Sequence, residues 1–508
     1  MRPLLFAGWA FAIVFCMSGC GGPRASQEAP KPSTVSAGKE GLESTPCWIE
    51  RRADWPQMDC YRMQVHEIPD DISSRLISFP VLRFRAQTTD HDNSTPVLHL
   101  GAGGPGAAMY LDSTDHVEWI LGNHDDFSVG IGRDLVLIDP RGAGLSEPLL
   151  TCNRYVENVP MRWRQPMRGF DSWILGDDDF ISCIREVRSK GISLAHYNSQ
   201  TVARDIAKLS NALNVSRWVL FGVSYGSVYA QVIARDFPSL VESMIMDSAT
   251  FIGLKGHHNY EQRLLGPFES LYQYCDYLAT CDDSALAADA MEKTIWRVFV
   301  ALNHQPLEVE SNILGTVFVT GDRFIEILIH AVYGEDILRD LPAIVQELSN
   351  RESASLVYYL DSYLEYQLDR TYGDISFYSH HCYETKPFTD HLAIDVVVAG
   401  LEDAGLRAYA EQAENWPDYC GIMGIYFGDP IEEKSVTTEI PTLFLHGELD
   451  PITPLSEVED QLDYFGNYQL FTFPLSHDVM NSDECAERLS KSFVKDPSRS
   501  ARTGLCGL

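Results

Sequence analysis

The stretch FGVSYGS, residues 221–227, places a serine between two glycines, after an apolar run and before a helical pattern. A strand, then G-x-S-x-G, then a helix is the context of a nucleophile elbow, in which a strained turn lifts the serine hydroxyl clear of the sheet. Gly222 and Gly226 leave the space that such a crowded turn needs. The stretch therefore predicts a nucleophile at Ser224, and the flanking pattern disfavours the alternative of an incidental loop serine.

Two further segments supply the groups that a serine nucleophile requires. A serine hydroxyl needs a base to accept its proton, and that base needs an acid to hold its tautomer. HGELDPITP places Asp450 just past one predicted strand, and FPLSHDVM places His477 just past the next, in the chain order Ser, Asp, His. A turn aspartate and a surface histidine are the alternatives for each residue alone. Asp247, at the end of MIMD, is a second candidate for the acid.

The glycine-rich segment GAGGPG, residues 101–106, follows a predicted strand at residues 95–100. Acyl transfer needs backbone N–H groups aimed at the oxygen that becomes negative in the transition state. We expect these oxyanion donors at Gly103, at Gly104 and, directly after the nucleophile, at Tyr225. A phosphate-binding loop is the alternative, but no G-K-[ST] follows these glycines.

Strand and helix patterns alternate on both sides of the elbow. TPVLHL, DLVLID, WVLFG and MIMD are short apolar runs typical of buried parallel strands. Their alternation with helical patterns predicts an α/β fold with a mostly parallel, doubly wound sheet. Helical patterns dominate residues 255–435, and strand patterns resume afterwards. We therefore expect a core formed by residues 47–254 and 436–508, with residues 255–435 inserted as a helical cap.

The N-terminal segment has the pattern of an export signal. After Arg2, the apolar run from residue 4 to residue 17 is too short to cross a bilayer as a mature helix, which predicts a signal peptide at residues 1–20. MSGC, residues 17–20, is similar to the lipobox of bacterial lipoproteins and predicts lipidation of Cys20; ordinary signal cleavage is the alternative. Residues 21–46, rich in Gly, Pro, Ala and Ser, predict a flexible linker. We expect a protein of the bacterial cell envelope, or otherwise a secreted one.

The cysteines beyond the signal form an even set in an exported chain, which predicts disulfides. They are Cys47, Cys60, Cys152, Cys183, Cys275, Cys281, Cys382, Cys420, Cys485 and Cys506. Their spacing suggests pairing of neighbours, 47 with 60, 152 with 183, 275 with 281, 382 with 420, and 485 with 506, although spacing alone leaves the connectivity open. No zinc-type CxxC repeat is present.

The charge balance restricts the partners of the chain. With 45% hydrophobic residues over 508 positions, the composition is that of a globular protein. The formal net charge of -33 repels the phosphates of nucleic acid and offers no basic surface to anionic lipids. We expect membrane contact only through the N-terminal lipid.

Four motifs resemble those of the proline iminopeptidase and tripeptidyl aminopeptidase branch of the α/β-hydrolases. They are GGPG (103–106), DPRGAGLSEP (139–148), GVSYGS (222–227) and GELDPITP (447–454). The closing segment with Cys485 and Cys506 is similar to the C-terminal region of secreted tripeptidyl aminopeptidases. The resemblance implies the α/β-hydrolase fold, a triad of Ser224, Asp450 and His477, and no metal or cofactor.

The resemblance also implies a peptide substrate with a free N-terminus. A cap carboxylate suits that ammonium group, and HHCYET offers Glu384, for which a solvated helix face is the alternative. His380 and His381, in the same segment, are weaker candidates for metal ligands. Asp478 stands where the family usually has glycine, and a carboxylate there predicts a raised pKa of His477 or competition for its hydrogen bond.

The expected activity is that of an aminopeptidase, which releases short N-terminal peptides or single residues through an acyl-enzyme on Ser224. A carboxylesterase or lipase is the first alternative, because ester and amide cleavage use the same machinery. A non-catalytic binding protein of this fold is a second alternative, which the complete set of triad residues disfavours.

Overall fold

One sheet of nine strands lies at the centre of the computed structural model, which describes residues 39–86, 95–101, 103–124, 128–254, 266, 288–334, 336–413 and 417–498. In chain order the strands are β1 (Gly41–Ser44), β2 (Met58–His66), β3 (Leu76–Phe84), β4 (Val97–His99), β5 (Leu135–Ile138), β6 (Trp218–Val223), β7 (Val241–Asp247), β8 (Leu307–Ser311), β9 (Gly315–Val319), β10 (Thr442–Gly447) and β11 (Tyr468–Phe473). The spatial order of the sheet is β1-β2-β3-β5-β4-β6-β7-β10-β11, and β8 and β9 form a separate antiparallel hairpin.

The strands from β5 to β11 in that order run parallel, whereas β1, β2 and β3 form an antiparallel edge. The predicted α/β fold with a mostly parallel sheet is therefore confirmed. Every residue of β4, β5, β6 and β10 is buried, which explains their unbroken apolar runs. Parallel pairing places the carboxyl ends of β6, β7, β10 and β11 at one edge of the sheet, where the predicted site residues follow.

Helices cover the sheet and continue into the cap. Those described before the cap are α1 (Thr114–His124), α2 (Asn153–Trp163), α3 (Gly169–Ser189), α4 (Ser199–Leu213) and α5 (Gly226–Asp236). Those described between β7 and β10 are α6 (Ala288–His304), α7 (Gly321–Ala331), α8 (Asp336–Ser349), α9 (Val357–Gln367), α10 (Asp374–Glu384), α11 (His391–Gly400), α12 (Ala404–Ala413) and α13 (Tyr419–Met423). The chain closes with α14 (Leu455–Gln461) and α15 (Glu484–Lys495). Within the described ranges, no helix has the length and apolarity to cross a membrane.

The cap receives a second segment that the sequence patterns assigned to the core. Helices α2 and α3 pack against the helices of the 255–435 insertion: Phe180 of α3 contacts the rings of Tyr378 and Tyr419, with centroids 4.9 Å and 5.0 Å away. On α2, Val159 and Trp163 belong to the same buried cluster as α6 to α9. Amphipathic helices pack on whichever apolar surface the fold presents, so their sequence did not reveal this location.

The linker predicted at residues 21–46 ends earlier than expected. Gly41–Ser44 pairs with β2 as the antiparallel edge strand β1, with Gly41 opposite Gln64. The Glu40 side chain accepts a hydrogen bond from the His66 N–H at 2.9 Å. A short strand at a sheet edge gains its stability from the ladder of a neighbouring strand, so a low content of apolar residues does not prevent it.

Three disulfides join described residues: Cys47 to Cys60, Cys152 to Cys183, and Cys382 to Cys420. They are three of the five pairs that the spacing suggested. The proposed pair of Cys275 and Cys281 and the partner proposed for Cys485, Cys506, lie outside the described residues, as does Cys20.

Candidate active site

Ser224 lies in the sharp turn between β6 and α5. Its φ of 54° falls in the left-handed region, which is strained for a residue with a side chain. A Cβ at Gly226 would lie 2.2 Å from the carbonyl oxygen of Gly101, and a Cβ at Gly222 would lie 2.4 Å from the carbonyl carbon of Gly226, so only glycine fits both positions. The Ser224 side chain is 1% exposed, and among the described residues its Oγ has no hydrogen-bond partner. The hydroxyl is therefore available to a base and a substrate.

His477 and Asp450 meet at the carboxyl edge of the sheet. Nδ1 of His477 lies 2.8 Å from Oδ2 of Asp450. The carboxylate of Asp450 is held by Thr453, whose hydroxyl lies 2.7 Å from Oδ2, and by the N–H groups of Ile452 and Thr453, which donate to Oδ1. A hydrogen on Nδ1 that donates to the carboxylate leaves Nε2 with the lone pair that a general base needs.

The electrostatics of this pair suit a charge-stabilised base. Burial raises the pKa of Asp450, but the charge of His477 and its hydrogen bond prevail, with help from His446 and Thr453, and lower that pKa to about 2. Burial lowers the pKa of His477, but the carboxylate of Asp450, with Asp478 and Asp247, raises it above its ordinary value. Asp450 is thus ionised at neutral pH, and activity should rise as the pH passes upward through the pKa of His477.

The glycine loop after β4 is pressed against the cap. Gly103 has a φ of 91°. The Gly373 N–H, directly before α10, donates to the Gly106 carbonyl at 2.7 Å, and the Tyr372 hydroxyl donates to the Pro105 carbonyl at 3.4 Å. Gly101, at the start of this loop, accepts the N–H of Val223 at 3.2 Å, and Tyr225, directly after Ser224, precedes the first residue of α5. Because the first N–H groups of a helix lack intrahelical acceptors, the arrangement can supply an oxyanion hole.

Two family models match the chain. The model described as alpha/beta hydrolase fold matches residues 97–271, which contain β4 to β7 and the elbow, and the model described as TAP-like protein matches residues 409–506, which contain Asp450 and His477. The protein is a serine hydrolase of the α/β-hydrolase fold with a TAP-like C-terminal region. The two matched segments of this hydrolase hold the three predicted triad residues between them.

Similar proteins come from several bacteria. Serine protease Hip1 of Mycobacterium tuberculosis is 22% identical over 525 residues, which cover 96% of this chain and 94% of that protein. A putative proline iminopeptidase of Mycoplasma pneumoniae is 34% identical over 88 residues, which cover 17% of this chain and 28% of that protein. A solved thermophilic esterase from Thermogutta terrifontis has 13% identity and a TM-score of 0.36, over 86% of this chain and 100% of that one.

Glu384 of this hydrolase is buried rather than solvated. It ends α10, where Oε1 accepts the Ser199 N–H at 2.7 Å and Oε2 accepts the hydroxyl of Tyr225. Burial raises the pKa of Glu384, and the hydrogen bonds from Tyr225 and Ser199 oppose that rise. The predicted ammonium ligand therefore already bonds the residue whose backbone is a predicted oxyanion donor. One turn earlier, both ring nitrogens of His380 contact oxygens, the Ser376 carbonyl at 2.8 Å and the Tyr229 hydroxyl at 3.3 Å.

The motif DPRGAGLSEP shapes the hydrolase without touching Ser224. Asp139 accepts the N–H of Met109 at 2.6 Å and that of Leu145 at 2.8 Å, so it connects the segment after the oxyanion loop to its own turn. Arg141 forms a bidentate ion pair with Asp205 of α4, both distances being 2.7 Å. The motif carried the family resemblance, and its role here is structural.

The rival acid, Asp247, has other partners. It accepts the N–H groups of Val479 at 3.0 Å and Met480 at 2.7 Å, while Nδ1 of His477 faces Asp450. Asp478 does not compete for that hydrogen bond, because its own carboxylate accepts from the Asn481 side chain. Asp478 contributes instead, after Asp450, to the raised pKa of His477.

Sequence reasoning missed three residues that position His477 and Asp450. Thr453 contacts the Asp450 carboxylate. Tyr333, just past α7 in the cap, lies edge-on to the imidazole of His477 with ring centroids 5.2 Å apart. The Ser476 hydroxyl donates to the Val332 carbonyl at 2.7 Å and so attaches the histidine loop to the cap. Thr453 lies within the GELDPITP motif, so the sequence could have identified it. The two contacts with the cap depend on tertiary packing, which the sequence does not reveal.

Proposed function

We propose that this hydrolase is an exported serine aminopeptidase that releases short peptides or single residues from the N-termini of peptides. The observation that carries the proposal is the unpartnered hydroxyl of Ser224 at the elbow, accompanied by the hydrogen-bonded pair of His477 and Asp450. The TAP-like region and the full-length similarity to a protein named as a serine protease support a peptide substrate over other acyl compounds.

In this mechanism Nε2 of His477 accepts the proton of the Ser224 hydroxyl while Oγ forms a bond to the scissile carbonyl carbon. The N–H groups of Gly103 or Gly104 and of Tyr225 stabilise the resulting oxyanion. His477 then gives its proton to the leaving amine, and the C–N bond breaks to leave an ester on Ser224. Water, deprotonated by His477, hydrolyses that ester, and Asp450 stabilises the imidazolium in both stages.

The cap supports cleavage near a chain end. It contacts the oxyanion loop at Gly106 and the histidine loop at Ser476, so protein encloses the site from two sides. An enclosed site favours a chain terminus over the middle of a folded chain, since a terminus enters with only one strand. Glu384, the predicted partner of the substrate ammonium, accepts hydrogen bonds from Ser199 and Tyr225, and its role in this scheme is to hold the oxyanion donor Tyr225 in place.

The test compares hydrolysis of short fluorogenic peptides with free and acetylated N-termini, and of a small ester, by the full chain and by Ser224→Ala. We expect Ser224-dependent release from free N-termini and little from acetylated ones. Ester cleavage without peptide cleavage would make the protein a carboxylesterase or lipase. A folded wild type that turns over neither substrate and does not react with a fluorophosphonate would be a binding protein of this fold.

A further inference from the structure

Asp247, the last residue of β7, and Ser248, which follows it, contact the loops of all three triad residues. The first contact is with the nucleophile: the Ser224 N–H donates to the Asp247 carbonyl at 2.9 Å. Both residues are fully buried, and Ser248 has a φ of 48° in the left-handed region. A strained backbone persists only where its surroundings hold it, and such strain is concentrated at functional sites.

The second contact is with the histidine loop. The Asp247 carboxylate accepts the N–H groups of Val479 and Met480, the second and third residues after His477. The Asp478 N–H donates to the hydroxyl of Ser248 at 2.8 Å, and that hydroxyl donates to Oδ1 of Asp247 at 3.0 Å. The N–H groups of the three residues that follow His477 therefore all donate to the side chain of Asp247 or Ser248.

The third contact is with the acid. The Thr453 hydroxyl lies 3.0 Å from the Ser248 carbonyl and 2.7 Å from the Asp450 carboxylate. The Ser248 N–H donates to the Leu445 carbonyl of β10 at 2.9 Å. Ser248 therefore adjoins the strand that leads to Asp450 as well as the residue that holds its carboxylate.

The Asp247 carboxyl has a second carboxyl beside it. A side-chain hydrogen bond joins Asp478 to Asp247, although both are acids. One oxygen of Asp478, Oδ2, accepts from Asn481, while Oδ1 is buried and, among the described residues, meets no N–H or hydroxyl donor. Asp247 accepts three hydrogen bonds from Val479, Met480 and Ser248. The hydrogen bond with Asp247 lowers the pKa of Asp478, whereas the pKa of Asp247 is raised, so the proton of the pair lies on Asp247, which donates to Asp478.

We propose that Asp247 is a positioning residue, which aligns the loops of Ser224 and His477, and that it does so while sharing one proton with Asp478. The proposal concerns the nucleophile and its base, so it rests on the serine-hydrolase assignment and not on the choice of substrate. Two buried carboxylates in contact cannot both be ionised without strong repulsion. Loss of the shared proton should therefore push Asp478, and with it His477, away from Asp247.

The basic group that acts on the pair among the described residues is His477, while Asp450 lies on the other side of Thr453. Burial raises the pKa of Asp247 to about 8, and the charge of Asp478 adds to that rise. Because the pair works with its proton bound, activity should fall as the pH rises through the pKa of the pair. This alkaline limb is separate from the acid limb, on which His477 must lose its proton.

The experiment measures kcat on a small ester and the rate of fluorophosphonate labelling, from pH 5 to pH 10, in full-chain variants checked by thermal unfolding. Asp478→Asn removes the charge beside Asp247, keeps a side chain that can hydrogen-bond to it, and tolerates the φ of 64° at this position. Asp247→Asn replaces one acceptor oxygen by an N–H₂ group opposite a loop N–H. Asp134→Asn is the matched control, since Asp134 also accepts a main-chain N–H, that of Ala86, but lies at the opposite end of β5.

We expect Asp247→Asn to lower kcat and the labelling rate by about 10- to 100-fold, because small displacements of reacting groups are that costly. Asp478→Asn should stay within a few-fold of wild type at pH 7 and lose the alkaline limb, while Asp134→Asn keeps both rates and both limbs. Wild-type rates in Asp247→Asn would overturn the positioning role, and an unchanged alkaline limb in Asp478→Asn would overturn the shared proton. Absence of labelling in the wild type would instead overturn the serine-hydrolase assignment.

Discussion

Two aspartates at the carboxyl ends of the neighbouring strands β7 and β10 have opposite charge preferences in this site. Burial would raise the pKa of both Asp450 and Asp247. The cation-forming neighbour His477 lowers the pKa of Asp450 to about 2, whereas the acidic neighbour Asp478 helps raise that of Asp247 to about 8. At the scale of single residues, the charge state of each carboxyl is therefore set by the group beside it, because both carboxyls lie at strand ends.

Glu384 allows a test of two roles for one carboxylate. We expect Glu384→Gln to lower kcat on free peptides and on a small ester by a similar factor, because Tyr225 loses a charge-assisted hydrogen bond in both reactions. Tyr225→Phe, which removes the same bond from the other side, is the control and should reproduce the effect. A loss confined to peptides with a free N-terminus would assign Glu384 to ammonium binding instead.

At the scale of elements, backbone contacts between loops fix the oxyanion segment. Gly106 has a φ of 87°, and a Cβ there would lie 2.3 Å from the carbonyl oxygen of Gly373. A Cβ and a carbonyl oxygen are both fixed to the backbone, so no side-chain rotation relieves this clash. Either the loop or the start of α10 must therefore move. The geometry of the oxyanion donors therefore depends on the absence of a single methyl group.

We expect Gly106→Ala to reduce kcat by about 100-fold, since the donors shift relative to Ser224. Gly315→Ala is the matched control: Gly315, the first residue of β9, has a φ of 71°, and a Cβ there would meet nothing within 4 Å. It should cost only the backbone strain, about 1–2 kcal/mol of unfolding free energy, with normal kcat. Equal kcat values for the two variants would show that the contact with Gly373 is unimportant.

The elements that sequence patterns predicted best are those buried on both faces. β4, β5, β6 and β10 appear as apolar runs because helices cover both sides, and Asp450 and His477 were found because they follow strand ends. The edge strand β1, the cap location of α3 and the pairing of Asp247 with Asp478 escaped prediction. Each depends on a partner distant in sequence, which neither periodicity nor local motifs encode.

At the scale of the whole molecule, two chain segments build the cap and disulfides close each of them. Cys152 and Cys183 connect α2 to α3, and Cys382 and Cys420 connect α10 to α13. The second bridge closes a span of 38 residues and holds the helix that carries Glu384. Cross-links of this length restrict the unfolded chain and so favour the folded one.

We expect the double variant Cys382→Ala/Cys420→Ala to lose about 2–4 kcal/mol of unfolding free energy, measured by urea denaturation. Replacing both cysteines avoids an unpaired thiol. The variant Cys47→Ala/Cys60→Ala, which opens a span of only 13 residues at the antiparallel edge of the sheet, should leave kcat unchanged. If removal of the cap bridge altered neither stability nor kcat, the bridge would have no role in holding the cap.

Substitution of Cys20 tests whether the protein is attached to the membrane. We propose that this thiol carries the lipid anchor, as the MSGC pattern indicates. Cys20→Ser should move the protein from the membrane fraction to the soluble fraction and abolish incorporation of labelled fatty acid. Cys16→Ser, four residues upstream, is the control and should change neither. Fatty-acid incorporation that persists in Cys20→Ser would refute the anchor at this residue.

The hydrogen bond from Gly373 to Gly106 has a consequence for any attempt to shrink this enzyme. The active site depends on both the core and the cap, because the loop that carries the predicted oxyanion donors is hydrogen-bonded to Gly373, which leads into the first turn of α10. A truncated scaffold that kept every triad residue but omitted α10 would lose the support of its own oxyanion donors. The smallest version of this catalyst must therefore include part of the cap, and evolution of a new substrate range through cap exchange would have to conserve that one turn.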